Sequence, residues 1–152
     1  METTRHTLDS TLENSDAAET IVIDFARRAG LTEKSTARIG LAVREIFTNA
    51  VIHGNRYDGR KKVFLEVRLT AKQLDIVISD EGDGFDPHRV PDPLSAAGVL
   101  RPSGRGLLLA RMFTDECDIR PGNPRGTKIT LVKHVRSYEG NGPALLKAIQ
   151  ES

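Results

Sequence analysis

The chain has 152 residues, of which 38% are hydrophobic and 28% are charged, and its formal net charge is +1. This length and composition predict one soluble globular domain. A net charge so close to zero argues against a general affinity for nucleic acid or for an acidic membrane surface. No apolar run is long enough to span a bilayer, the N-terminus lacks the apolar core of a signal peptide, and Cys117 has no second cysteine to pair with. We therefore expect a cytoplasmic protein.

The chain is predicted to begin with a short strand over residues 5–12 and to continue into a helix. Asn14 or Ser15 is placed as the N-terminal cap of this helix, because short polar side chains accept hydrogen bonds from free backbone N–H groups. The apolar spacing continues to about Ala29. Gly30 then suits the end of the helix.

A second, longer helix is predicted over residues 33–53, with Thr32 as its cap and Gly54 as its stop. Along it a carboxylate, an amide and an imidazole recur every four residues, at Glu45, Asn49 and His53. On a helix of 3.6 residues per turn these side chains form one line. Apolar residues lie on both sides of the line: Ile39, Val43, Ile46, Phe47 and Ala50 on one, Leu41 and Ile52 on the other. This arrangement suggests a cleft, and the simpler alternative is the polar edge of an ordinary amphipathic helix.

The second half of the chain alternates between strand and helix patterns. Residues 63–69 and 74–78 alternate apolar and polar side chains across a short connection, which predicts an antiparallel hairpin. A helix is predicted in SGRGLLLARMF, with four side chains to bury: Leu107, Leu108, Ala110 and Met112. Two further strands, 116–120 and 128–135, flank the turn PGNPRG. The tail could add a short helix from Pro143.

This order of elements places helices first, then a hairpin, a helix and another hairpin. Strands that are not separated one by one by helices indicate an α+β fold, with helices on one face of a mostly antiparallel sheet.

Two of the segments that could bind nucleotide lie on the long helix and after the second strand of the hairpin. Asn49 offers a neutral oxygen suited to Mg²⁺ beside phosphates, and Glu45 can take a proton from an attacking hydroxyl. Asp80 can accept hydrogen bonds from the exocyclic amine of a base, and Gly82 and Gly84 let a ligand approach the backbone. Taken alone, the second segment is better explained as a glycine-rich turn after a strand.

The third segment is Gly104–Arg105–Gly106, at the start of the predicted last helix. Backbone N–H groups at a helix N-terminus attract anions, and an arginine adds a fixed positive charge suited to phosphate. The alternative is a helix cap with a surface arginine.

The order and spacing of these segments carry more information than any one of them. The four boxes are Glu45-xxx-Asn49-xxx-His53-Gly54, Asp80-x-Gly82-x-Gly84-Phe85, Gly104-x-Gly106-Leu107 and Gly126-Thr127. They resemble the ATP-binding boxes of the GHKL superfamily, which includes gyrase, Hsp90, histidine kinases and MutL. In VREIFTNAVIHGN and SGRGLLLARMFTDE the chain looks most like the branch of anti-sigma-factor serine/threonine kinases. The resemblance covers about residues 5–135.

The resemblance implies a Bergerat ATP-binding fold, a two-layer α/β sandwich with helices on one face of a mixed sheet. The kinase domain would span residues 1–135 and a tail would follow at 136–152. ATP and Mg²⁺ are the implied cofactors. The implied partners are a STAS-type anti-anti-sigma protein, phosphorylated on a serine, and a sigma factor. A homodimer is also implied, and no direct contact with nucleic acid or membrane is expected.

The same resemblance assigns roles to individual residues. Glu45 would be the general base, Asn49 would hold Mg²⁺, and Asp80 would contact the adenine amine with support from Thr127. The remaining members are Gly82 and Gly84 in the adenine pocket, residues 88–103 as an ATP lid, and Gly104, Arg105, Gly106 and Leu107 at the phosphates. Arg105 would also assist catalysis, whereas His53 is expected to have a structural role at the helix end.

Two other functions stay open at this point. The chain could be a regulatory module that binds ATP or only a partner, without chemistry; the presence of Glu45 makes this alternative weaker. It could also be the catalytic fragment of a sensor histidine kinase. That hypothesis is disfavoured because His6, close to the N-terminus, has no helical hairpin around it.

Overall fold

The computed structural model describes residues 1–84 and 102–135, with the backbone alone at 102–105. The elements in chain order are β1 (Glu2–Asp9), α1 (Asn14–Arg28), α2 (Glu33–Asn49), a π-helical turn (Ala50–Gly54), β2 (Lys62–Leu69), β3 (Gln73–Asp80), α3 (Pro102–Phe113), β4 (Glu116–Pro121) and β5 (Thr127–His134). Most of the predicted lid, 88–101, and the tail, 136–152, lie outside the described residues.

The five strands form one sheet in the order β1-β2-β3-β5-β4. Each of its four described pairings is antiparallel, so the predicted α+β class is confirmed, while the mixed sheet implied by the resemblance is not seen in the described strands. Because β5 inserts between β3 and β4, Ser79 pairs with Lys128. The end of β3 is therefore brought beside the beginning of β5.

The core lies between the sheet and the two N-terminal helices. The predicted alternation in the hairpin is confirmed, since the inward side chains are almost fully buried: Val63, Leu65, Val67, Leu74, Ile76 and Ile78. The facing sides of α1 and α2 are buried against them, with Phe47 and Ile39 among the largest enclosed side chains. Burying each such side chain stabilises the fold by about 1.5–3 kcal/mol.

The helix ends agree with the sequence in part. The Thr32 cap is confirmed, because its Oγ1 accepts a hydrogen bond from the Ser35 N–H at 3.1 Å. Gly30 ends α1 with φ +82°, and the Leu31 N–H bonds back to the Ala26 carbonyl. The prediction that Asn14 or Ser15 caps α1 is wrong.

The N-cap position of α1 is Glu13, which makes no side-chain cap. Asn14 instead donates through Nδ2 to the Asp9 carbonyl at 2.9 Å, and Ser15 donates to the Leu12 carbonyl at 2.6 Å. Both side chains are used to fasten the turn from β1 into α1. The first strand also lies earlier than predicted, since Glu2–Asp9 is the segment that pairs with β2.

One apolar position differs from the sequence prediction. Met112, which was expected to be buried, is 63% exposed, whereas Ala110 is fully buried as expected. Leu41, on the flank of the polar line, is 42% exposed. The prediction for Met112 is wrong because α3 packs on α2 through one narrow face, which the small residues Gly106 and Ala110 occupy. In the described part of the chain, no helix combines the length and the apolar character needed to cross a bilayer.

The Thr32 cap gives a test of the fold. Thr32→Ala removes the acceptor for the Ser35 N–H and should lower the free energy of unfolding by about 1 kcal/mol, measured by urea denaturation. Thr32→Ser keeps the hydroxyl and is the matched control, expected to stay within about 0.5 kcal/mol of the wild type. Equal losses in the two variants would show that the hydroxyl does not stabilise the helix start.

Candidate functional site

Asp80 ends β3 and is 8% exposed, an uncommon position for a carboxylate. Its Oδ1 accepts two backbone hydrogen bonds, from the Gly82 N–H at 2.9 Å and from the Thr127 N–H at 3.1 Å. Its Oδ2 faces Gly54, and no described residue donates a hydrogen bond to that oxygen. Among the described residues, the backbone therefore holds one oxygen of the carboxylate and provides no donor to the other.

Glycines close the backbone around Asp80. A Cβ at Gly54 would collide with the Asp80 carboxylate, one at Gly82 with the Gly54 carbonyl, and one at Gly126 with the Asp80 carbonyl. Gly126 also has φ +85°, which glycine adopts without strain. In the described structure Gly82 and Gly126 allow backbone to approach backbone, and Gly54 allows it to approach the Asp80 carboxylate. For Gly82 this is a different reason from the approach of a ligand that the sequence suggested.

Burial raises the pKa of the Asp80 carboxyl, and the two backbone hydrogen bonds and the nearby Lys61 charge oppose this rise. A raised pKa means that the folded state holds a proton more tightly than the unfolded state does. The ionised group therefore lowers stability at neutral pH, and this cost disappears as the pH falls through its raised pKa. In the same range Oδ2 loses its capacity as a charged acceptor.

The polar line on α2 meets α3 at Gly106. A Cβ there would lie 2.8 Å from Asn49 Nδ2 and 3.4 Å from Glu45 Cβ, so no larger residue fits without moving the Asn49 amide. Gly104 and Arg105 lie just before this contact, in the first turn of α3, where backbone N–H groups have no partner within the helix. The structure thus joins the second half of the predicted site, Glu45 and Asn49, to the helix start that suits phosphate.

The third member of the polar line is displaced. After Asn49 the chain forms a π-helical turn, closed by a hydrogen bond of 2.7 Å from the Asn55 N–H to the Ala50 carbonyl. The wider turn rotates His53 away from the line, and its side chain is exposed. The same turn delivers Gly54 to Asp80, so it connects the two halves of the site.

The other predicted residues lie as follows. Gly84 packs beside Gly126, and a Cβ on it would lie 3.0 Å from the Gly126 carbonyl oxygen. Thr127 contributes its backbone N–H to Asp80, and Leu107 is half-buried on α3. The side chain of Arg105 lies outside the described atoms. Pro102 and Ser103, assigned to the lid from the sequence, belong to α3.

Two polar residues at the site were missed from the sequence. Arg125, in the turn between β4 and β5, donates from Nε to the Gly82 carbonyl at 3.0 Å and from Nη2 to Asp83 at 3.0 Å. Asn55 is fully buried beside Gly54. The only sequence signal for Asn55 was an asparagine directly after a predicted helix stop, a pattern shared by many surface turns.

A magnesium site built from several protein ligands is absent from the described residues, which hold no group of three or more His, Cys, Asp or Glu side chains placed for a metal. This does not conflict with Asn49 as a ligand, because Mg²⁺ at nucleotide sites takes most of its oxygens from phosphates and water. The neutral amide beside the first turn of α3 fits that requirement.

Comparison with known proteins identifies the domain. Residues 8–133 match the model of the histidine kinase-like ATPase domain. The chain belongs to this family. The matched range contains all four boxes, and the resemblance to the GHKL superfamily and its anti-sigma branch is confirmed.

Curated relatives share almost their whole length with the chain. An anti-sigma F factor of Clostridium perfringens is 29% identical over 127 residues, which is 82% of this chain and 91% of the relative. The anti-sigma F factor of Bacillus subtilis is 31% identical over 125 residues, or 81% and 86% of the two chains.

Two solved structures share the fold. The RsbU and RsbW domains of Rv1364c from Mycobacterium tuberculosis align with a TM-score of 0.63 at 21% identity, covering 90% of this chain and 33% of that one. The mycobacterial sensor histidine kinase MprB aligns with a TM-score of 0.54 at 18% identity, covering 88% and 99% of the two chains. At these identities the likeness concerns the fold alone.

Asp80→Asn tests the two oxygens separately. Asparagine keeps an Oδ1 acceptor for Gly82 and Thr127 but places a donor where Oδ2 stood. Affinity for a fluorescent ATP analogue should fall about 10–100-fold, the effect of one lost hydrogen bond to a charged group. In urea unfolding at neutral pH the variant should be at least as stable as the wild type, and this advantage should shrink in acid. Unchanged affinity would show that Oδ2 does not contact the ligand.

Gly106→Ala separates folding from function at the second half of the site. Alanine favours a helix over glycine by up to about 1 kcal/mol, and the atom it meets, Asn49 Nδ2, is the end of a side chain that can turn aside. Thermal stability should hold or rise while magnesium-dependent ATP affinity falls. Gly59→Ala is the control, because a Cβ there meets nothing within 4 Å. A Gly106→Ala protein with wild-type affinity would contradict the assignment of Asn49.

Proposed function

We propose that the chain is an ATP-dependent protein serine kinase and anti-sigma factor of a partner-switching pathway. In this proposal it binds a sigma factor and phosphorylates a serine of a STAS-type anti-anti-sigma protein, as a cytoplasmic homodimer. The family membership and the names of the curated relatives support an ATP-binding anti-sigma protein. The kinase step, the STAS partner and the dimer go beyond those comparisons.

The observation that carries the proposal is the contact of Gly106 with Asn49 and Glu45. In this contact the amide of Asn49 and the Cβ of Glu45 lie beside Gly106. This supports a phosphate site in which Gly104 and Arg105, in the first turn of α3, offer backbone N–H groups to an anion. Phosphoryl transfer needs such positioning and charge neutralisation more than it needs covalent chemistry from the protein. A magnesium ion, when bound, would neutralise charge on the phosphates.

The base would be held at the other end of the site. Asp80 is a largely buried residue whose Oδ2 receives no hydrogen bond from the described residues, and this oxygen suits the exocyclic amine of adenine. A guanine presents a carbonyl at the corresponding position, which Asp80 would repel. The proposal therefore includes selectivity for ATP over GTP.

Each residue then has one task in the reaction. The serine oxygen of the substrate attacks the γ-phosphorus, the bond from that phosphorus to the bridging oxygen breaks, and ADP leaves. Glu45 accepts the proton of the serine hydroxyl, and the first turn of α3 holds the phosphates. The π-helical turn keeps Asn49 and Asp80 at a fixed separation, so that the base and the phosphates are held together.

The kinase step is tested with γ-labelled ATP and the STAS-type protein encoded nearest in the genome. Glu45→Gln should reduce phosphate transfer about 10²–10⁴-fold, the usual contribution of a general base, with ATP affinity nearly unchanged. Glu33→Gln, on the same helix and exposed, is the matched control.

Three outcomes of this experiment have different meanings. Transfer that is lost only in Glu45→Gln supports the proposal. Transfer that survives in Glu45→Gln refutes the role of Glu45 as the base. No transfer by a wild-type protein that binds ATP would favour the alternative, a regulatory module without catalysis.

A further inference from the structure

Asn55 lies directly after the π-helical turn and is completely buried, with 0% of its surface exposed. Its side chain makes three hydrogen bonds to three different segments. Nδ2 donates to Ser10 Oγ at 3.1 Å and to the Lys62 carbonyl at 2.9 Å, and Oδ1 accepts from the Glu81 N–H at 2.8 Å. A buried polar side chain that is fully used in this way fixes the segments it joins.

These contacts form part of a closed ring of three residues. Asn55 donates to the Lys62 carbonyl, the Lys62 N–H donates to Glu81 Oε1 at 2.6 Å, and the Glu81 N–H returns to Asn55 Oδ1. The ring joins the end of the π-helical turn to the beginning of β2 and to the residue after β3. The amide completes it because the ring needs a donor and an acceptor on one side chain, and Asn55 provides them on Nδ2 and Oδ1.

Two residues next to the ring in sequence, Gly54 and Asp80, meet at the proposed base pocket. Gly54 precedes Asn55 and packs on Asp80 Oδ2, and Asp80 precedes Glu81. The ring therefore fixes Gly54 and Asp80 through the residues that follow them in sequence, Asn55 and Glu81. A small shift between Gly54 and Asp80 would change the direction in which Asp80 Oδ2 points and its accessibility to a ligand.

We infer that Asn55 is a positioning residue for base recognition, which sets the affinity and selectivity for adenine by holding Asp80 against Gly54 through the Glu81 N–H. The inference rests on the part of the proposed function that places adenine at Asp80. It is independent of the kinase step, because it concerns the bound base and not the transferred phosphate.

The two ends of the Asn55 amide allow the positioning role to be separated from plain stabilisation. The Glu81 bond on Oδ1 leads directly to Asp80, whereas the Ser10 bond on Nδ2 leads away to the end of β1. Asn55→Ala removes both ends. Ser10→Ala removes one bond on the Nδ2 side from another buried residue and leaves the ring intact, so it is the matched control.

The test measures the dissociation constants of fluorescent ATP and GTP analogues for the folded fraction of each variant. In Asn55→Ala the affinity for ATP should fall about tenfold, the effect of about 1.4 kcal/mol, while the weaker affinity for GTP should hardly change. The ratio of the two affinities should therefore fall about tenfold. Ser10→Ala should lose stability in urea unfolding but keep the ratio of the wild type. Loss of both affinities in equal proportion, or the same ratio in Asn55→Ala and the wild type, would overturn the inference.

A second measurement needs no nucleotide. Amide hydrogen exchange in the free protein should be faster at Glu81, Gly82 and Thr127 in Asn55→Ala than in Ser10→Ala, after correction for global stability. Wild-type exchange at Gly82 and Thr127 would show that Asn55 does not position Asp80, whatever the protein binds. If Asn55→Ala shows the faster exchange but the wild type does not transfer phosphate, the result counts against the kinase step alone.

Discussion

The structure depends on the burial of one carboxylate where backbone segments meet. Asp80 ends a core strand, and its Oδ1 takes the N–H groups of Gly82 and Thr127. Burial of an ionised group is costly unless hydrogen bonds compensate it, and two backbone N–H groups compensate only one of its oxygens. The pKa of the carboxyl is accordingly raised.

The close approach of backbone around Asp80 explains why glycines recur in separate parts of the sequence. Gly54, Gly82 and Gly126 come from the π-helical turn, the segment after β3 and the start of β5. At each of these positions a Cβ would collide with another segment of the same chain. Gly106 likewise allows α2 and α3 to approach each other closely, beside Asn49 and Glu45.

The sequence predicted which residues belong to the candidate site, but it did not predict how they are arranged in space. The spacing of Glu45 and Asn49 held because both lie on the regular part of α2. His53 did not stay on that line, since the π-helical turn adds a residue that no apolar period reveals. Asn55 could not be identified for a related reason: its three partners come from the residue after β1, from β2 and from the residue after β3, and local sequence patterns do not show such contacts.

The sequence by itself determined the class of fold, the position of most elements and the family, because hydrophobic period, turn residues and box order are local or ordered along the chain. It placed the Thr32 cap and the hairpin of β2 and β3 correctly. Only the tertiary structure decided the strand order, the exposure of Met112, and which oxygen of Asp80 accepts the backbone N–H groups of Gly82 and Thr127. These depend on packing between segments far apart in sequence, where a few ångströms separate a backbone contact from a collision.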